Sequence, residues 1–130
     1  MQSNLQRLIK RYQQGERIFH GLDLSGCNLS QLQLPEIDLS YSNLKGACLI
    51  GTDLEWAILR DVNLTSANLT RAHLHRANLR RANLTTAVLQ CADLRAADLG
   101  GAIIDNTTFA QSNLWGAIGS DGLTPLQPAG

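Results

Sequence analysis

Few side chains in this 130-residue sequence could do chemistry on their own. Histidine occurs at His20, His73 and His75, and cysteine at Cys27, Cys48 and Cys91. The cysteines are odd in number and lack the short spacing of a zinc site, so neither a disulfide framework nor a metal cluster is expected. Asp53, His73 and Asp93 fall at equal intervals of twenty residues. Carboxylate and imidazole bind divalent ions, but one imidazole on an exposed wall gives too few converging ligands. The expectation there is a charge ladder, in which both carboxylates favour a charged His73, with no metal and no other cofactor. His73, His75 or Cys91 could act as base or nucleophile only beside an orienting third group. No such group and no Gly-rich phosphate loop is apparent, so no catalytic residue is assigned and no enzyme is expected. Arginine is the remaining resource. Arg71, Arg76, Arg80 and Arg81 lie in a stretch without acidic residues between Asp61 and Asp93, which reads as a basic belt. Together with Trp56, Arg60, Arg95 and Trp115 they form the candidate interaction surface, with Tyr41 a further residue of the same kind. Trp, Tyr and Arg are the types enriched at the energetic centres of protein interfaces.

What positions these residues is a period of five. Every fifth residue from 24 to 114 is Leu, Ile or Phe, nineteen in succession, and Phe19 extends the series to twenty. Ten of the positions two residues earlier are alanine and none is charged; the position between is most often Asn or Asp. A step of five drifts around an α-helix by about 140° per leucine and flips faces on a flat strand, so neither element can bury the series. Small-x-large is a short extended piece with both side chains on one face. Two further residues must then turn the chain, so that it coils and stacks its leucines into one continuous core. The core is expected to hold Leu44, Leu54, Leu64, Leu69, Leu74, Leu79, Leu84, Leu89, Leu94 and Leu99.

The run A-N-L-T-R, A-H-L-H-R, A-N-L-R-R, A-N-L-T-T (67–86) resembles the A-(D/N)-L-x-x signature of the pentapeptide-repeat proteins. The likeness covers residues 17–116 without an insertion, and LIKRYQQGERIFHGLDLSGCNLS resembles the opening segment of many cyanobacterial members. The resemblance implies an all-β solenoid, a right-handed quadrilateral β-helix with four pentapeptides per coil. Twenty repeats would then make about five coils, roughly 24 Å tall at the usual strand spacing. Residues twenty apart would stack in columns: Gln33, Asp53, His73, Asp93, Asn113; beside it Pro35, Glu55, His75, Arg95, Trp115; then Arg60 with Arg80, Asp61 with Arg81, and Trp56 with Arg76.

A stacked coil needs caps, because its end strands offer unpaired backbone groups. Leu5, Leu8, Ile9 and Tyr12 form a helical stripe, predicting a short α-helical cap within 1–16, with Ser3 or Asn4 as N-cap and Gly15 as C-cap. The solenoid is expected over 17–118. The glycines and prolines of 119–130 predict an irregular tail, with Leu123 and Leu126 folding over the last coil and the final residues mobile. Cys27 should point inward as a small hydrophobe, with Cys48 and Cys91 outside. No segment approaches the about 20 apolar residues of a membrane span, and the N-terminus lacks a secretory h-region. A cytoplasmic protein is expected.

These readings converge on one domain acting as a non-catalytic scaffold or protein-interaction module, monomeric or an end-stacked dimer. Some members of the resembling family mimic DNA and bind a type II topoisomerase such as gyrase. That alternative needs a strongly negative surface, whereas the formal charge here is zero. Direct nucleic-acid binding, which needs the opposite sign, is expected to be weak and salt-sensitive at most.

Overall fold

Five residues turn the chain through one corner, and the same corner recurs along the sequence. The computed structural model describes residues 2–122 and 125–126. In a representative corner, Leu54 to Ala57, the Ala57 N–H donates to the Leu54 carbonyl at 3.0 Å and Trp56 has φ 62°. A positive φ at the third residue, closed by a bond from fourth to first, is the pattern of a type II turn. Positive φ recurs at every fifth position from Gly21 to Gly116; fourteen of those twenty residues are not glycine. The left-handed region costs an L-residue about 1–2 kcal/mol, while burying one leucine contributes about 1.5–3 kcal/mol. Each unit can therefore hold its turn without glycine.

The Asn or Asp ahead of each leucine reinforces the corner. Asn78 Oδ1 accepts the Arg80 N–H at 3.0 Å, and Asn43, Asp53, Asn63, Asn68, Asn83 and Asp98 accept in the same way. This is the Asx-turn, a short side chain bonding its own backbone two residues on. It is the physical reason for a preference that was visible in the sequence only as a composition.

Between corners the backbone is extended for one bridging residue per side. Parallel bridges join residues twenty apart, from Ile18↔Asp38 to Asp98↔Ile118. The His73 N–H donates down to Thr52 O at 2.9 Å, and the Leu74 N–H donates up to Asp93 O at 2.7 Å. Twenty residues per coil means four pentapeptides per coil. The fold is the right-handed quadrilateral β-helix. Leu44, Leu54, Leu64, Leu69, Leu74, Leu79, Leu84, Leu89, Leu94 and Leu99 all line its axis, at most 1% exposed. Cys27 is buried among them, and Cys48 and Cys91 are partly exposed on the outside. Polar residues in the small inward position are satisfied internally: buried Thr52 donates through Oγ1 to Leu29 O at 2.8 Å.

Helix α1 (Gln2–Gln13) closes the lower end. Leu5 and Leu8 are buried, and Ile9 and Tyr12 pack against the core. Ser3 and Asn4 lie inside this helix and do not cap it, which corrects the sequence expectation. Asn4 is used elsewhere: its Nδ2 donates to Asp23 O at 3.0 Å, and Tyr12 Oη donates to Pro35 O at 2.8 Å. Both carbonyls belong to the first coil, where no coil below can supply a donor, so the helix supplies one through side chains. Gly15, at φ 99°, ends the cap as expected, donating its N–H to Tyr12 O.

At the upper end β1 (Ala117–Ile118) pairs antiparallel with β2 (Pro125–Leu126), Ala117 opposite Leu126. The stretch read as an irregular tail thus returns as a strand, because β1 would otherwise be an unpaired edge. Leu123 and residues 127–130, expected to cover the last coil and to be mobile, lie outside the described residues. So does any account of the Leu126 side chain. Among the described residues no helix is long and apolar enough to cross a membrane.

Candidate interaction surface

The square section divides the outward side chains into four flat walls. One wall carries Asp53 and Glu55, with His73 and His75 above them and Asp93 and Arg95 above those. The next carries Ile58 and Arg60, then Asn78 and Arg80, then Asp98 and Gly100. Trp56 and Arg76 stand on the corner between the two, and Tyr41, Asp61 and Arg81 stand on the far corner of the second wall. The described residues enclose no pocket, so whatever these walls engage is met on an open surface.

Of the predicted surface residues, Trp56, Arg60, Arg76, Arg80 and Arg81 fall together on the second wall and its corners. Arg95 and Trp115 belong to the first wall and rise towards the upper end. Arg71 stands on the opposite edge of that wall, apart from the others. The Arg76 guanidinium lies over the Trp56 ring, 4.9 Å from its centroid, a cation–π contact between coils. Tyr41 and Trp56 are exposed, as are Ile18 and Ile58 on the same wall.

The basic belt is reduced in three dimensions. Arg81 binds Asp61 with two parallel bonds, Nε to Oδ1 at 3.0 Å and Nη2 to Oδ2 at 2.9 Å. Arg80 reaches Asp98 at 3.2 Å, and Arg95 grips Asp93 at 2.8 and 2.7 Å. The acid-free stretch between Asp61 and Asp93 is real along the chain. The twenty-residue coil, however, brings carboxylates from below and above onto the arginines. Among the described residues Arg60 and Arg76 make no salt bridge, although the Arg60 charge helps to lower Asp61, and Arg60 Nε is shielded from solvent without a hydrogen-bond partner.

These pairings set the acidities. The bidentate bond from Arg81 holds Asp61 below the ordinary carboxylate value, and the bond from Arg95, opposed by partial burial, does the same for Asp93. Asp38 is pushed up by burial, but bonds from Ser40 and His20 outweigh this and leave it lowered.

The Asp53–His73–Asp93 column stacks by bridges as the period requires. The hydrogen bonds of its carboxylates are made locally. Asp93 is taken by Arg95, Asp53 Oδ1 accepts the Glu55 N–H at 3.0 Å, and no hydrogen bond or ion pair joins His73 to either. A different histidine is paired: His20 Nε2 meets Asp38 Oδ2 at 2.8 Å while Asp38 Oδ1 accepts from Ser40. Sequence reasoning missed this group. It is separated by eighteen residues, the same diagonal as Arg80 and Asp98, and that spacing is the signal which would have found both.

Comparison with known proteins agrees with this architecture. A family model described as pentapeptide repeats matches residues 18–55, 47–85 and 87–118. A crystal structure of a pentapeptide repeat protein from the thylakoid lumen of Arabidopsis thaliana is 37% identical with a TM-score of 0.60, covering 75% of this chain and 64% of its own. The chain thus spans somewhat less than two thirds of that relative. A pentapeptide repeat protein from Nostoc PCC 7120 is 36% identical over 88% of this chain and 94% of its own, with a TM-score of 0.43. Rfr23 from the cyanobacterium Cyanothece 51142 is 28% identical over 92% and 99%, with a TM-score of 0.39. Among curated proteins none matches. With its five-residue period, its coil of four units and a family model matched over most of its length, the chain belongs to the pentapeptide-repeat family.

Proposed function

We propose that the protein is a non-catalytic scaffold that binds other proteins through its outer walls. The observation that carries this reading is the contrast between inside and outside. The chain spends its leucines on a sealed axis yet leaves Trp56, Tyr41, Ile58 and Ile18 exposed on one flat wall. Exposed aromatic and apolar side chains beside arginine make a contact surface, and an open wall suits a macromolecular partner better than a small substrate. The candidate surface remains Trp56, Arg60, Arg71, Arg76, Arg80, Arg81, Arg95 and Trp115, now weighted towards the wall that gathers five of them. Chemical cross-linking in the native host, followed by mass spectrometry, tests the reading. Cross-links to a protein partner from the Trp56 wall support it; a hydrolytic or transfer activity in the purified protein would overturn it.

Gyrase mimicry is not adopted, because the formal charge is zero and the exposed wall carries arginines, Arg76 over the Trp56 ring among them, where a mimic needs a strongly negative surface. Unimpaired DNA supercoiling at micromolar protein would agree with that choice. The partly exposed thiols of Cys48 and Cys91 suit a reducing compartment, and we assign the cytoplasm. Fractionation of native cells checks this assignment.

A further inference from the structure

We infer that the wall between the Trp56–Arg76 corner and Tyr41 docks an acidic protein surface. This rests on the interaction-module reading above. On three successive coils this wall presents Tyr41 lowest, then Trp56, Ile58 and Arg60, then Arg76 and Arg80. The apolar members are exposed, and Ile58 stands between the Trp56 corner and Arg60. The charged members divide into two kinds. Arg80 is already committed to Asp98. Among the described residues neither Arg60 nor Arg76 is in a salt bridge: Arg60 acts on Asp61 only through space and has a shielded Nε without a bond, and the Arg76 guanidinium lies over the Trp56 ring. Arg76, held over the ring and outside any such ion pair, is preorganised for a carboxylate because less side-chain freedom remains to be lost on binding, and Arg60 has donors left to give. Two such groups flanking Ile58 call for a partner with carboxylates around an apolar residue.

A nucleic-acid backbone fits this wall less well than a protein does. Asp38, Asp61 and Asp98 stand among the arginines and would face a continuous row of phosphates, and the exposed rings Trp56 and Tyr41 stand at opposite corners of the wall rather than in a run on which successive bases stack.

The experiment is selection of short random peptides, displayed on phage, against the intact protein. It is followed by titration of the enriched peptides against the parent and the double variant Arg60→Glu, Arg76→Glu, with circular dichroism confirming that the variant keeps its fold. The expected outcome is a consensus of Asp or Glu beside an apolar residue. Binding should weaken with salt, fall at least about tenfold in the variant, and recover when the peptide acids become Lys. Peptides without acidic bias, or binding untouched by the double variant, would overturn the docking wall while leaving an interaction module on another wall. Failure to enrich any peptide would count against the module itself. A short DNA duplex that binds the parent and is lost in the variant would overturn the protein partner in favour of nucleic acid.

Discussion

At the residue scale, the inward position tolerates a hydroxyl only when a carbonyl is waiting for it, as Leu29 O waits for Thr52. A carboxylate at Leu74 would have no such partner. Leu74→Asp is expected to cost more than the 2–5 kcal/mol typical of Leu→Ala in a core and to abolish the cooperative transition in urea. Leu74→Ala should stay folded with its midpoint lowered. On the outside, Arg76 covers the Trp56 ring. In a Trp115→Phe background, Arg76→Ala should alter Trp56 fluorescence emission while far-ultraviolet circular dichroism stays as in the parent. The ion pairs carry a pH signature. Asp61 and Asp93 have folded-state pKa values below their unfolded ones, so their stabilisation is present above the unfolded value of about 4 and is lost as pH falls through the folded values. Melting temperature should therefore hold near neutrality and decline in acid. The double variant Asp61→Asn, Asp93→Asn should show a shallower acid decline.

At the scale of the element, the pentapeptide is a turn with a side chain built into it. Asn78→Ala removes the bond to the Arg80 N–H and should lower stability by about 1 kcal/mol, measured by chemical denaturation, with no change in coil register. Helix α1 shows which parts of an element are legible before the fold is known. Its apolar stripe of Leu5, Leu8, Ile9 and Tyr12 was readable, because burial leaves a period. Its start was misplaced, because Asn4 looks like a local cap in one dimension but is needed by Asp23 O, nineteen residues away. The same division governs the outer walls. That Arg76 would meet Trp56 followed from the column once a coil of twenty was adopted. That Asp93 would turn to Arg95 rather than His73 did not follow, since it depends on the reach and fork of a guanidinium two residues along the same side. Inward positions are constrained by one environment and so repeat; outward pairs are chosen among several neighbours within reach.

At the scale of the whole molecule, the protein is a square stack in which each coil is both floor and ceiling for its neighbours. The return of β2 onto β1 went unread because the Gly- and Pro-rich tail has no periodicity of its own. Everything proposed about the walls depends on the twenty-residue coil, since only that register sets Trp56 beneath Arg76 and Asp61 beneath Arg81. The most direct measurement is cross-linking in a cysteine-free background (Cys27→Ala, Cys48→Ser, Cys91→Ser). Thr65→Cys with Thr85→Cys places two cysteines on adjacent coils whose backbones are about 4.8 Å apart, within disulfide reach. Thr65→Cys with Arg80→Cys places them on different walls. The coil predicts rapid intramolecular oxidation of the first pair and none of the second, whereas oxidation of the second pair in preference to the first would contradict it.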